Sequence, residues 1–264
     1  MSLYLALWRI GLQEALQYRA ESVIWFLFDV LPPIMMVFLW LTAYEGQASV
    51  AGYSLQAMLQ YTVGVMVLRN VVTAHVEWDV SYQIRQGTLS MHLVRPMNTW
   101  ALWFMTGLAA RTVRALMLLP VLLACLVWLG SYLETPEWGT GIGALAASLV
   151  LAYMISFFTK LGIGFLAFWL TDITGTLTLV EVVAWVFGGM LLPLELLPDV
   201  LRPIAALLPF QYIYHVPMSL LLGRLDPAEV QTTLGVQAAW AGGLVLLAGA
   251  IWQRGLRRYE AVGG

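Results

Sequence analysis

The chain has 264 residues, of which 61% are hydrophobic and 11% charged, with a mean hydropathy of +0.80 and a formal net charge of −2. Soluble domains carry roughly 45–50% apolar and about 25% charged residues, so water is not the main solvent of this chain. Intrinsic disorder is excluded by the same values, and a near-neutral charge without a long basic run excludes nucleic acid as a partner.

Residues 2–20 come first, with Arg9, Gln13, Glu14, Gln17 and Glu21 largely on one helical face and Leu5, Trp8, Leu12, Ala15 and Leu16 on the other. A helix with that pattern lies in the membrane interface rather than across it. A bilayer core of ~30 Å needs about 20 apolar residues at ~1.5 Å rise each. Runs near 22–44, 55–75, 112–132, 141–169, 175–192 and 233–252 meet that need. The first run is too long for a cleaved signal core and reads as a retained helix. Residues 98–111, carrying Trp100, Trp103 and Arg111, read as an interfacial lead-in to the third run. The expected fold is therefore an all-α integral membrane protein with six transmembrane helices, and 1–264 is one membrane domain. Cys125 is the only cysteine, so there is no intrachain disulfide.

Basic residues set the orientation. The loops near 45–54 and 131–140 hold Glu45, Glu134 and Glu137 and no Arg or Lys. The N-terminal segment, the 76–100 loop and the C-terminal tail hold Arg9, Arg19, Arg85, Arg95, Arg254, Arg257 and Arg258. Both termini are thus expected in the cytoplasm, although the connection 193–232, with Arg202 and Arg224, falls on the outer side. That connection is broken by Pro193, Pro198, Pro203, Pro209 and Pro217 within an apolar sequence. Proline inside a helix costs ~3 kcal/mol or more. Short re-entrant helices between helices five and six are expected there, dipping into the outer leaflet with their backbone groups satisfied by protein or water. Asp226 then caps the last helix, with Pro227 at its first position and Glu229 completing a capping-box-like start.

A nucleotide-binding P-loop, Gly-x-x-x-x-Gly-Lys-Ser/Thr, is absent: the single lysine, Lys160, precedes Leu161 and has no such glycines before it. His75, His92 and His215 have no metal-ligand spacing, and there is no Gly-x-Ser-x-Gly elbow. What remains is charge inside the apolar runs: Asp29, Arg69, Lys160 and Glu181. Such residues mark pathways or pairs. Arg69 and Lys160 stand toward the inner ends of their runs, where long stems can snorkel to the interface. Glu181 is placed to pair with Lys160 or Arg69. An ion-coupled secondary transporter using Asp29 and Glu181 is the alternative reading, against which stands the lack of two matching halves with mid-membrane breaks. Small residues (Gly139, Gly141, Gly143, Ala146 and Ala147 in the fourth run; Gly235, Ala239, Gly242 and Gly243 in the sixth) read as close packing within one subunit.

The longest inner loop begins Glu77-Trp78-Asp79-Val80-Ser81-Tyr82-Gln83-Ile84-Arg85-Gln86-Gly87 and forms a short amphipathic helix, with Gly87 suited to a left-handed cap. The stretch Ile84-Arg85-Gln86-Gly87-Thr88-Leu89 and the following Leu93-Val94-Arg95-Pro96 resemble the "I-x-x-G-x-L … L-x-R-P" segment of ABC-2 type permeases. Gly188-Gly189-Met190-Leu191-Leu192-Pro193-Leu194-Glu195-Leu196-Leu197-Pro198, through Leu208-Pro209-Phe210, resembles that family's outer re-entrant segment, with Pro193, Glu195, Pro198 and Pro209 as its markers. The resemblance implies the non-catalytic membrane subunit of an ATP-binding-cassette exporter in a bacterial inner membrane. It further implies a second permease subunit, identical or paralogous, and two copies of a separate ATPase that binds the ATP and Mg. Residues 77–87 would be the coupling helix, with Glu77, Asp79, Tyr82, Ile84, Arg85, Gly87 and Arg95 as the residues coupling it to the ATPase.

Overall fold

The structure, a computed structural model, describes residues 3–17, 19–50, 52–130 and 141–259. Among these it is all-helical, with no β-strand. The helices are α1 (Leu3–Gln17), α2 (Arg19–Ala43), α3 (Leu55–Val72), α4 (Glu77–Arg85), α5 (Leu89–Leu93) and α6 (Thr99–Leu129). They continue with α7 (Gly141–Phe165), α8 (Thr174–Phe187), α9 (Arg202–Leu207), α10 (His215–Leu221) and α11 (Pro227–Leu256). A 3-10 turn, Leu166–Phe168, prolongs α7.

Four of these are long and apolar enough to cross a membrane: α2 over Phe26–Ala43, α6, α7 with its 3-10 turn, and α11. The second and fifth expected runs are the helices α3 and α8. In α3, Gln56, Gln60, Arg69 and Asn70 dilute the apolar character. In α8, 14 residues give only about 21 Å of rise. It stops five residues short of the expected end because Gly189 adopts φ +79°. A Cβ there would lie 2.7 Å from the Tyr61 hydroxyl and 3.0 Å from His215 Cβ. Tyr61 donates its hydroxyl proton to the Gly189 carbonyl and so fixes the stop.

Residues 98–111 are not a separate lead-in. Asn98 accepts from the amides of Trp100 (2.9 Å) and Ala101 (3.3 Å), and α6 runs unbroken through Arg111. The apolar window missed that start because Arg111 and Arg114 interrupt it, whereas the cap is a local backbone event. Asp226 caps α11 as expected, accepting from Ala228 N at 2.9 Å.

Two groups of helices build the subunit. In one, α2, α3 and α6 pack together, with α1 lying along α6. The approach is close enough that a Cβ on Gly11 would sit 2.8 Å from Thr106 Cα. In the other, α7 is central and carries α11, α4, α10 and α3. Gln237 on α11 is wholly buried and staples this group, donating to the carbonyls of Ser148 and Tyr212, both at 2.9 Å. The glycines read as packing contacts behave otherwise: Gly141, Gly143, Gly235, Gly242 and Gly243 have open space where a Cβ would project. Ala146, Ala147 and Ala239 are also exposed, and Gly139 lies outside the described residues. The close approaches instead use Gly11, Gly164 and Gly255.

Prolines break the connection from α8 to α11, as expected, into the 3-10 turns Leu194–Leu196 and Pro209–Tyr212 and the short helices α9 and α10. Its first part is tied to the α2–α3 connection. Tyr53 donates to Glu195 Oε2 at 3.1 Å, and the Arg224 guanidinium lies 3.6 Å over the Tyr53 ring.

Candidate functional site

The second group is closed at one end by aromatic packing. Trp100 and Trp103 of α6, Phe165 of α7, Phe168 of the 3-10 turn and Trp252 of α11 form a continuous cluster, with ring centroids 4.8 Å apart for Phe165 and Trp252 and 5.9 Å for Trp103 and Trp252. Onto this cluster α4 is fastened, its buried Val80 and Ile84 facing inward. Trp103 Nε1 donates to Gln83 Oε1 at 3.2 Å. Gly164 makes the fit possible, since a Cβ there would meet Val80 at 3.1 Å and the Glu77 backbone at 3.2 Å.

Beyond α4 the chain turns at Gly87, which takes φ +72°, as the left-handed cap required. Tyr259, just past α11, clamps this turn: its hydroxyl donates to the Gly87 carbonyl at 2.6 Å and accepts from the Ser90 amide at 3.2 Å.

A charge cluster stands behind α4. Lys160 on α7 is 7% exposed, so it does not snorkel. Its ammonium pairs with Glu181 Oε1 of α8 at 2.5 Å and with Glu77 Oε1 of α4 at 3.3 Å. His75 Nδ1 lies 3.8 Å from the same Glu77 oxygen. Burial acts to raise the Glu77 carboxyl, but the neighbouring His75 imidazole and the Lys160 ammonium outweigh it and hold the group below the ordinary carboxylate value. The structure thus joins two residues assigned separately in sequence, one to a coupling surface and one to a snorkelling position. The signal available was weak: a lone lysine in an apolar run needs an acid, but nothing local names one 83 positions away.

In front of this cluster lies a cavity of about 670 Å³. It is lined from α2 (Phe28), α3 (Arg69), α6 (Arg114), α7 (Lys160), α8 (Glu181, Trp185), the 3-10 turn at Phe210 and the exposed Trp78 and Asp79 of α4. Arg69 is partly buried, with its guanidinium 6.0 Å over the Trp185 ring.

The expected coupling residues separate into two sets. Asp79, Tyr82, Arg85 and Arg95 are exposed, Tyr82 by 59%. Glu77, Ile84 and Gly87 are buried. Arg85 reaches back to the α7–α8 connection, donating to the Thr171 carbonyl at 3.0 Å. Asp29 stands on α2, but its side chain lies outside the described residues. In the proline-broken segment, Pro193 and Pro209 are buried and Glu195 and Pro198 exposed.

A family model described as ABC-2 family transporter protein matches residues 30–263. No curated protein and no solved structure matches the chain.

Proposed function

Because the chain belongs to the ABC-2 transporter family, we propose that it is the membrane-spanning permease subunit of an exporter driven by a separate ATP-binding-cassette ATPase. The observation that carries this reading is the mounting of α4. Its inner face is bonded through Glu77 to Lys160 and thence to Glu181 in the cavity wall, while its outer face presents Trp78, Asp79, Tyr82 and Arg85. A push on the exposed face reaches α7 and α8 through charged contacts. In this reading Glu77, Ile84 and Gly87 anchor the coupling helix, and Asp79, Tyr82, Arg85 and Arg95 form its contact surface.

The same reading takes α3 and α8 as the second and fifth crossings, completing six, and places both termini in the cytoplasm of a bacterial inner-membrane protein. The segment from Pro193 to Pro209 is then the outer re-entrant element, sealing the side opposite α4. Two permease subunits, identical or paralogous, stand over two ATPase subunits, which hold the ATP and Mg. ATP acts on the permease only through a differential affinity of the ATPase pair for its two conformations. The ion-coupled alternative is not favoured, since Glu181 is committed to Lys160 and the chain's family is that of the ABC-2 transporters.

The test is co-purification with a co-expressed ATP-binding-cassette ATPase, followed by ATP turnover in liposomes. Tyr82→Ala with Arg85→Glu should still fold, with a small drop in melting temperature from the lost Thr171 bond, and lose the ATPase subunit or its stimulation. Full retention of stimulated turnover by that variant would sink the assignment of α4.

A further inference from the structure

A run of contacts leads from the end of α11 to the turn between α4 and α5. Gly255 lets α11 press against the 3-10 turn that prolongs α7, where a Cβ would collide with the Phe168 ring. The helix ends at Leu256, and the Tyr259 ring then stands edge-on to Phe168 with centroids 5.9 Å apart. From that fixed point the Tyr259 hydroxyl donates to the Gly87 carbonyl and accepts from the Ser90 amide. One side chain thus grips the backbone on both sides of the start of α5.

That grip matters more to α5 than to α4. A helix of five residues makes too few internal hydrogen bonds to offset its nucleation cost, so tertiary contacts place it. Within α5 only Leu89 is buried. Met91 and Val94 are exposed, Val94 by 83%, and Arg95 follows at the surface. By contrast α4 is held through Lys160, Trp103 and Thr171. Beyond the local bonds of the turn, the placement of α5 relative to α4 depends on Leu89 and on the Tyr259 hydroxyl. The helix that carries this clamp also reaches the proline-broken connection, where Gln237 donates to the Tyr212 carbonyl. From Gln237 to Leu256 it rises about 29 Å at ~1.5 Å per residue.

We propose that Tyr259 is a positioning residue for the ATPase-contacting surface: its hydroxyl seats α5 against the end of α11, so that Met91, Val94 and Arg95 join Tyr82 and Arg85 in one preformed surface. A turn released from the clamp still meets the partner, but part of the binding free energy is then consumed in ordering it. This deepens the permease reading above and rests on it.

Tyr259→Phe keeps the ring on Phe168 and removes only the hydroxyl. In the purified full-length permease, amide exchange should quicken over residues 88–95 and stay unchanged over 77–84. Reconstituted in liposomes and titrated with the ATPase that co-purifies with wild type, the variant should need about fivefold more ATPase for half-maximal stimulation, with maximal turnover within about twofold of wild type. Gln237→Leu is the control for lost stability, since it removes two buried hydrogen bonds away from the turn, and it should leave the half-maximal concentration unchanged. Unchanged exchange over 88–95, an unchanged half-maximal concentration in Tyr259→Phe, or an equal rise in Gln237→Leu overturns the proposal. A wild type that recruits no ATPase defeats the permease reading together with this role, whereas those outcomes beside a wild type that does recruit one defeat this role alone, so the two failures are distinguishable.

Discussion

Replacing Lys160 with methionine tests the account of the buried charges. At 3.3 Å, the Lys160–Glu77 attraction is about 5 kcal/mol at an effective dielectric of about 20. Desolvation of the two ions offsets most of that, so the intact pair adds little net stability. Removing the lysine alone is different, because the Glu77 carboxylate then stays buried without its cation. Such orphaning costs about 3–5 kcal/mol. Glu77→Gln should cost less, since Lys160 keeps Glu181 at 2.5 Å. The double variant should be more stable than Lys160→Met alone, because the orphaned charge is gone. The pH dependence has a definite sign. Glu77 is held below its ordinary value of 4.5, so its stabilising contribution is present above that pH and lost as pH falls through the lower folded value. In Lys160→Met the ammonium that lowers the group is absent, so its folded value lies above the parent's. The gap between parent and variant should therefore narrow from pH 7 toward pH 4. Unfolding of the purified proteins, followed by tryptophan fluorescence across that range, is the assay. A loss under about 1 kcal/mol for Lys160→Met, or strict additivity in the double variant, would refute the reasoning.

Other substitutions probe the remaining joints. Gly189→Ala combines a left-handed backbone with a Cβ 2.7 Å from the Tyr61 hydroxyl, and should lower stability by more than about 1 kcal/mol in thermal unfolding. Gln237→Leu leaves the Ser148 and Tyr212 carbonyls without their side-chain donor, and should cost about 1–3 kcal/mol in the same assay. Tyr259→Phe removes the clamp on the Gly87 turn, and should cost about 1 kcal/mol with faster amide exchange at Ser90. Gly11→Leu should push α1 off α6, detected as proteolytic release of the N-terminal segment.

The sequence was most informative wherever a local rule applies. Asp226 before Pro227 marks the start of α11, the five prolines after Leu192 mark the broken connection, and Gly87 marks the turn after α4. Each depends on a few adjacent residues and their backbone preferences. Hydropathy located the long helices but misplaced the start of α6, because a window averages over Arg111 and Arg114 while a cap does not. It also ran past Gly189, whose stop depends on Tyr61 and His215. The charged site was legible only in part. Pairing of Lys160 with Glu181 follows from their adjacent helices, but the contact with Glu77 exists because Gly164 lets α4 press against α7. Two partners far apart in sequence meet through packing, and composition holds no record of that. The open glycines of α11 show the converse: spacing that permits close approach does not require it within one subunit.

The central claim is that the exposed face of α4 receives a separate ATPase, and one measurement addresses it at that face. A photoreactive phenylalanine analogue in place of Tyr82, 59% exposed on that face, is irradiated in cells and its products identified by mass spectrometry. The account predicts a crosslink to a protein carrying the Gly-x-x-x-x-Gly-Lys-Ser/Thr loop that this chain lacks, strengthened or weakened by trapping that protein with or without nucleotide. Crosslinks confined to lipid, or to proteins with no nucleotide-binding loop, would contradict it.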